Sequence, residues 1–373
     1  MKIGFFIVFI LLFLLINSFV ILRGWQVLSS ISNTIFRTVY VTTMILLFLS
    51  LVGSMIFGYV LPLHLAKLLS FVGFTYIIIF IYLLLSFLIV DIVRIFDFYL
   101  HLFPIGMVAI RMWAMVLTLS ATAIALIVGN YNFNHPQVVT LNLKSDKPLQ
   151  NKEIKIVAVS DIHLGISIDK KYLKQYVELI NEQKPDLVLM AGDISDRLME
   201  PIIRQNMDEE FRAIKAPMGV YAINGNHEHY AETPESTATY LQKAGIIVLR
   251  DEILLVDGSF YVVGREDLSY SKRMNLFQIV NGLDKNKPLI LMDHQPYHLE
   301  EAEQNNIDFQ ISGHTHNGQF FPGNLFVKSM YEIGYGYLKK GNTHIYVSSG
   351  LGLWGPQYRI GTQSEVVVIN FKF

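Results

Sequence analysis

The chain of 373 residues contains no cysteine. Disulfides, thiolate metal sites and cysteine nucleophiles are excluded together, so any bound metal must be held by His, Asp, Glu or Asn. Charge is also scarce. Asp, Glu, Lys and Arg make up 16% of the residues, where a soluble domain usually has about a quarter. The net charge is −1 and no block of Lys or Arg occurs, which argues against a nucleic-acid surface. There is no internal repeat and no low-complexity tract.

The scarcity of charge is uneven. Up to Asn130 there are six Lys/Arg and two Asp/Glu, and the remainder holds 24 and 29. Hydrophobic residues make up 52% of the chain and the mean hydropathy is +0.39. Together these numbers mark a change of solvent, from lipid to water, near Asn130. A bilayer-spanning helix needs about 20 mostly apolar residues. Four stretches qualify: Ile3–Leu22, Val39–Leu61, Leu69–Val93 and Ile105–Val128. The first has no small-residue cleavage site at Leu22-Arg23-Gly24-Trp25, and three more spans follow, so it is expected to be retained. Arg23, Arg37, Arg94 and Arg111 flank the first and third loops, against Lys2 and Lys67 on the other side. That bias puts loops one and three in the cytoplasm and the C-terminal part outside it. His64, Asp91, Arg94, Asp97, His101 and Arg111 sit near span ends, as interfacial groups, Asp–Arg pairs or a slot for a lipid head group.

After Asn130 the pattern becomes that of a soluble domain. His135-Pro136 and the polar run Leu143–Glu153 read as a linker holding one strand, Val138–Leu143. Short apolar runs bounded by turn residues then predict buried strands at Ile154–Ser160, Leu187–Met190, Val220–Ile223, Phe260–Val263, Leu289–Met292, Phe309–Ser312, Ile345–Ser348 and Val366–Phe371. Helices are expected at Tyr172–Gln183, Pro234–Ala244 and Leu299–Asn305. Strands alternating with helices indicate an α/β layered domain.

Five of these strands run into polar residues able to bind metal. They end in Asp161-Ile162-His163, Gly192-Asp193, Gly225-Asn226-His227-Glu228, Asp293-His294 and Gly313-His314-Thr315-His316. Open α/β sheets place their sites at that edge. Seven of the eleven histidines lie between His163 and His316. Imidazole and carboxylate suit Mn, Fe or Zn. Two ions held close together need a bridging carboxylate, for which Asp193 is the natural candidate. The period-two side-chain direction of a strand would aim both members of Asp161-x-His163, and of His314-x-His316, the same way.

As an ordered set these residues resemble the calcineurin-like metallophosphoesterases over roughly Lys152–Phe373. The stretches Gly313–Gln319, Asp293–Pro296 and Gly350–Pro356 are similar to its membrane-linked bacterial subfamily, a group that includes transmembrane proteins with a metallophosphoesterase domain. The resemblance implies two packed β-sheets flanked by helices. The expected architecture is thus a four-helix transmembrane domain (1–130), a linker with the first strand (131–151) and an α/β metallophosphoesterase domain (152–373). It also implies two divalent ions, one held by Asp161, His163, Asp193 and His316, the other by Asp193, Asn226, His294 and His314. His227 would face the phosphate and protonate the leaving oxygen, with Glu228 orienting His227 or a ligand. Hydroxide formed from water between the ions would attack the phosphorus. Arg197 either touches a substrate phosphate or is a solvated helix-start arginine. Trp354, Tyr358 and Arg359 border the pocket or only pack, and His229 and His298 read as surface histidines. The expected function is a membrane-anchored phosphohydrolase acting on a lipid-linked or cell-envelope phosphodiester, phosphomonoester or pyrophosphate. Two alternatives are a UDP-2,3-diacylglucosamine pyrophosphatase-type activity in lipid A synthesis and a catalytically silent metal-binding sensor or scaffold.

Overall fold

The computed structural model describes residues 2–30, 33–101, 103, 106–145, 147, 153–230 and 234–372. The chain separates into two compact units, residues 1–128 with 355–357 and residues 129–354 with 358–373.

The first unit is helical. Helices α1 (Lys2–Leu28), α2 (Thr34–Phe57), α3 (Leu63–Leu100) and α4 (Met107–Asn134) each carry a stretch long and apolar enough to cross a membrane. α1, α3 and α4 run past the C-terminal ends of the apolar stretches that predict them, because helical hydrogen bonding continues beyond the apolar residues. α2 instead starts earlier than expected and ends at Phe57, before the expected Leu61, where Gly58 caps it and Pro62 opens α3. Ile105, the expected start of the fourth span, lies outside the described residues. Their mutual core is small, built from Val20, Met44, Leu51, Tyr76, Phe80, Leu83 and Phe87. Most other large apolar side chains face outward, among them Leu15, Leu46, Val60 and Ile89. A bundle with a thin core and an apolar exterior is built for a lipid solvent. α2 and α3 approach closely at Gly73, where a Cβ would stand 2.5 Å from the Leu51 Cα. Arg23 on α1 pairs with Asp91 on α3 (2.5 Å), one of the Asp–Arg pairings expected for the charges near the spans.

The second unit is a sandwich of two six-stranded mixed sheets. Its strands are β1 (Gln137–Lys144), β2 (Glu153–Val159), β3 (Leu187–Ala191), β4 (Val220–Ile223), β5 (Ile247–Val248), β6 (Glu252–Val256), β7 (Phe260–Gly264), β8 (Leu289–Met292), β9 (Phe309–Ser312), β10 (Gly336–Lys340), β11 (Thr343–Val347) and β12 (Glu365–Lys372). One sheet runs β1-β12-β2-β3-β4-β5 and the other β10-β11-β9-β8-β7-β6. β2, β3 and β4 are mutually parallel, as are β7, β8 and β9. Of the expected linker, residues 146 and 148–152 lie outside the described residues, and β1 pairs with β12 along its whole length.

The strands read as unbroken apolar runs because both faces are buried. Ile156 and Ala158 of β2, Leu187, Leu189 and Ala191 of β3, and Val367, Ile369 and Phe371 of β12 point into the layer between the sheets. There they meet Val262, Ile290, Met292, Phe309 and Ile311 of the other sheet. Val157, Val159, Val188, Met190, Val366 and Val368 point the opposite way, toward helix α5 (Lys170–Glu182). That helix buries Leu173, Tyr176, Val177 and Ile180, the stripe expected from the sequence, and Asp169 caps it by accepting from the Tyr172 N–H (3.1 Å).

Candidate metal centre

The parallel strands bring all five polar strand ends to one edge of the sandwich. Asp161 and His163 follow β2, Asp193 follows β3 and Asn226 and His227 follow β4. From the other sheet, His294 follows β8 and His314 and His316 follow β9. The two edges meet at glycines. A Cβ on Gly192 would stand 2.7 Å from His294 Nδ1, and one on Gly313 would stand 2.2 Å from Asp161 Oδ2.

The donors fall into two clusters. In the first, His163 Nε2 and His316 Nε2 face each other at 3.1 Å, and Asp161 Oδ1 lies 3.3 Å from His316 Nε2. In the second, His294 Nε2 is 3.2 Å from Asp193 Oδ2, and Asn226 Oδ1 lies 3.2 Å from His294 Nε2 and 2.8 Å from His314 Nδ1. Asp193 Oδ2 is also 3.7 Å from His163 Nε2, so this one carboxylate stands between the clusters. Buried imidazole nitrogens converging on each other and on carboxylates fit a cation better than they fit one another.

The strand geometry differs from the expectation. Asp161, His163, Asp193, His314 and His316 lie beyond the strand ends with φ between 50° and 71°. Period-two strand direction therefore does not align Asp161 with His163 or His314 with His316. Left-handed turns do, a conformation that non-glycine residues adopt at a cost of order 1–3 kcal/mol each. Hydrogen bonds between the separate loops hold it: the His314 N–H donates to both Asp161 oxygens (3.0 and 3.1 Å), and the His227 N–H to Asp193 Oδ1 (2.8 Å).

Glu228 is fully buried, and its carboxylate accepts from the N–H groups of Asp193 (3.1 Å), Ser195 (2.8 Å) and Gly225 (2.7 Å). It thus ties the Asp193 turn to the Asn226 turn, and supports ligands rather than His227. Burial, and then the Asp193 charge, push its pKa up. Arg197 is exposed and has no hydrogen bond or ion pair among the described residues. Sequence does not single out Asp196, although it follows Asp193 by three positions. It lies with His163 Nδ1 at 3.6 Å and His227 Nδ1 at 3.4 Å from its Oδ1, and its carbonyl takes the hydrogen bond from His227 Nδ1. Burial alone would lower the His227 pKa, but the Asp196 hydrogen bond and the Asp193 and Asp196 charges outweigh it, and the pKa is raised to about 9. For Asp193, burial acts upward and the neighbouring His294 charge and hydrogen bond act downward; the histidines win and hold it ionised.

Behind the donors lie buried charges. Arg359, fully buried, donates to the carbonyls of His316 (3.0 Å), Gly350 (3.1 Å) and Gly352 (2.5 Å), tying the Gly350–Gly352 segment to the His316 turn. Tyr358 is buried with it and Trp354 is 43% exposed. His229 is not a surface histidine: its Nε2 lies 2.9 Å from the buried Glu266, which also holds Asn224 and Arg250. Its partner is invisible in sequence because Glu266 follows β7, in the other sheet. His298 is exposed, as expected.

Two buried His/Asp clusters with Asp193 between them, at the common edge of a two-sheet sandwich, form a candidate metal centre. The chain belongs to the calcineurin-like metallophosphoesterases. Residues 154–318 match the family described as calcineurin-like phosphoesterase. An uncharacterized metallophosphoesterase of Campylobacter jejuni is 31% identical over 263 residues, covering 69% of each chain. One of Helicobacter pylori is 32% identical over 226 residues, 59% of this chain and 60% of that protein. A transmembrane protein with metallophosphoesterase domain from Danio rerio is 30% identical over 274 residues, 69% of this chain and 62% of that protein. The chain thus spans under two thirds of the length of some of these relatives. It carries a calcineurin-like phosphoesterase domain and, among the described residues, four helices long and apolar enough to cross a membrane.

Proposed function

We propose that the chain is a membrane-anchored phosphohydrolase acting on a lipid-linked or cell-envelope phosphodiester, phosphomonoester or pyrophosphate. The observation that carries this reading is Asp193, shared between two donor clusters in a chain that also holds four long apolar helices. One ion would be held by Asp161, His163, Asp193 and His316, the other by Asp193, Asn226, His294 and His314. Mn, Fe or Zn in these positions would acidify water and take up charge on the phosphoryl oxygens.

The remaining residues bind and move the proton. His227 donates to the leaving oxygen: Asp196 engages its Nδ1, which leaves Nε2 to carry the proton toward substrate. His163, Asp196 and His227 also form a third cluster of possible ligands. The bond from His227 Nδ1 to the Asp196 carbonyl favours the proton-donor role over a third ion site. Arg197, exposed on the same loop, is offered to a substrate phosphate. In functional terms residues 1–130 anchor the chain, 131–151 connect it and contribute β1, and 152–373 carry the chemistry.

The test is hydrolysis of bis(p-nitrophenyl) phosphate by the full-length protein in detergent. Activity should need Mn or a similar ion, vanish with chelator and return on reloading. Metal-loaded protein that is inert, together with an Asp193→Ala variant that changes nothing, would leave the silent-sensor alternative standing instead.

A further inference from the structure

A surface next to the metal centre is not used by its chemistry. Soon after His316 come Phe320, Phe321 and the helix Gly323–Met330, none of whose eight residues is buried. Phe321 is 49% exposed, Leu325 56%, and Phe326 and Met330 65% each. At about 100° per residue the three helix side chains fall within roughly 140° of arc, with Lys328 at its rim. Lys328 is exposed and has no ion pair among the described residues. A contiguous apolar face beside a site marks an interaction surface.

The backbone indicates what covers it. The Phe321 N–H donates to the Ile360 carbonyl (2.8 Å), and Phe320 bridges the same residue. One position earlier, the Arg359 N–H donates to the Gly129 carbonyl (2.8 Å), and Asn132 Nδ2 donates to the Arg359 carbonyl (3.1 Å). A Cβ on Gly129 would stand 2.6 Å from Ile360 Cγ1. Gly129–Asn134 is the end of α4, where Asn130, Asn132 and Asn134 close the apolar run, and Phe133 is buried in the catalytic core. The apolar face is therefore hydrogen-bonded, through Arg359 and Ile360, to the point where an apolar helix turns polar.

We propose that Phe321 and the helix Gly323–Met330 dip into the bilayer surface beside the end of α4, so that the His316 side of the metal centre opens onto lipid head groups. Apolar side chains enter the acyl boundary while Lys328 meets lipid phosphate at the rim. Insertion rests on α4 crossing a bilayer. Its consequence, access for a lipid-borne substrate, rests on the function proposed above.

The absence of cysteine makes a direct test simple. Full-length protein carrying Leu325→Cys, labelled with an environment-sensitive fluorophore and placed in phosphatidylcholine/phosphatidylglycerol nanodiscs, is compared with Lys285→Cys. Lys285 is exposed and precedes β8, away from the C-terminal strand ends. Lipids spin-labelled near the head group should quench the label at 325 several-fold more than that at 285. Equal quenching overturns insertion. So does an unquenched label at 325 when the unlabelled Leu325→Cys protein forms a disulfide-linked dimer, since a second copy would then cover the face. A Leu325→Ser/Phe326→Ser variant should keep its rate on bis(p-nitrophenyl) phosphate but lose about tenfold on a long-chain p-nitrophenyl phosphodiester in vesicles. Equal rates on the vesicle substrate overturn the access role. Quenching at 325 in a protein inert toward both substrates leaves insertion standing and removes the proposed function.

Discussion

Asp193 offers one oxygen to both donor clusters, at 3.2 Å from His294 Nε2 and 3.7 Å from His163 Nε2. Asp193→Ala should therefore lower bound metal at both positions, as mass spectrometry of the native protein would count, and abolish hydrolysis. His227 contributes to neither ion in the proposed assignment. His227→Gln should keep full metal content and lose about 10²–10⁴-fold in kcat with little change in KM. Loss of metal in that variant would move His227 into the ligand set. The same side chain gives the metal-free protein a pH dependence. Its pKa in the fold is about 9, above its ordinary 6.5, so its stabilising contribution is complete below pH 6.5 and is lost as pH rises through 9. His294, raised in the same direction against the opposing effect of burial, chiefly by Asp193, adds to the slope. The Tm of chelator-treated protein should fall across that window, and fall less in His227→Gln.

At the scale of elements, the buried strands are readable because burial on both faces leaves an apolar run with no alternation, as in β3, β8 and β9. The strands that sequence does not reveal, β5, β6 and β10, are the edge strands of their sheets. β10 reads Gly-Tyr-Leu-Lys-Lys with alternating partial exposure, and β5 has two residues, so neither offers a continuous apolar signal. The donor set is readable from its order along the chain. Its geometry is not, because left-handed turns at Asp161, Asp193 and His314 depend on hydrogen bonds between separate loops. Asp196 and Glu266 are hidden for the same reason, since their partners His163, His227 and His229 are distant in sequence. The glycines at these turns are steric requirements. A Cβ on Gly225 would stand 2.2 Å from Asp193 Oδ1, and one on Gly313 equally close to Asp161 Oδ2. Gly313→Ala should leave far-UV circular dichroism unchanged and cut metal affinity, measured by calorimetry, by about 10–100-fold, the usual scale for disturbing the support of a ligand.

If the four apolar helices cross a bilayer, the whole molecule must match its charges to the two sides. α3, with 38 residues, is roughly 57 Å long at 1.5 Å per residue, longer than the ~30 Å hydrocarbon core it would cross. The apolar length therefore does not set the side on which the metal centre lies, and the arginines have to. Arg23, Arg37, Arg94 and Arg111 belong to the ends of the helices joined by the first and third loops, and Lys2 and Lys67 to the opposite ends. Asp91 is paired with Arg23 and offsets one of the four, but acidic residues count little toward orientation. The expectation is a catalytic unit outside the cytoplasm. A cysteine-free chain lets single cysteines report it: Lys285→Cys, exposed in the catalytic unit, should react with an impermeant maleimide in intact cells, while Ser30→Cys, exposed at the end of α1, should react only after permeabilisation. The reverse pattern would put the metal centre in the cytoplasm. It would also admit nucleotide-linked lipid precursors as substrates, which the outward orientation keeps on the other side of the bilayer.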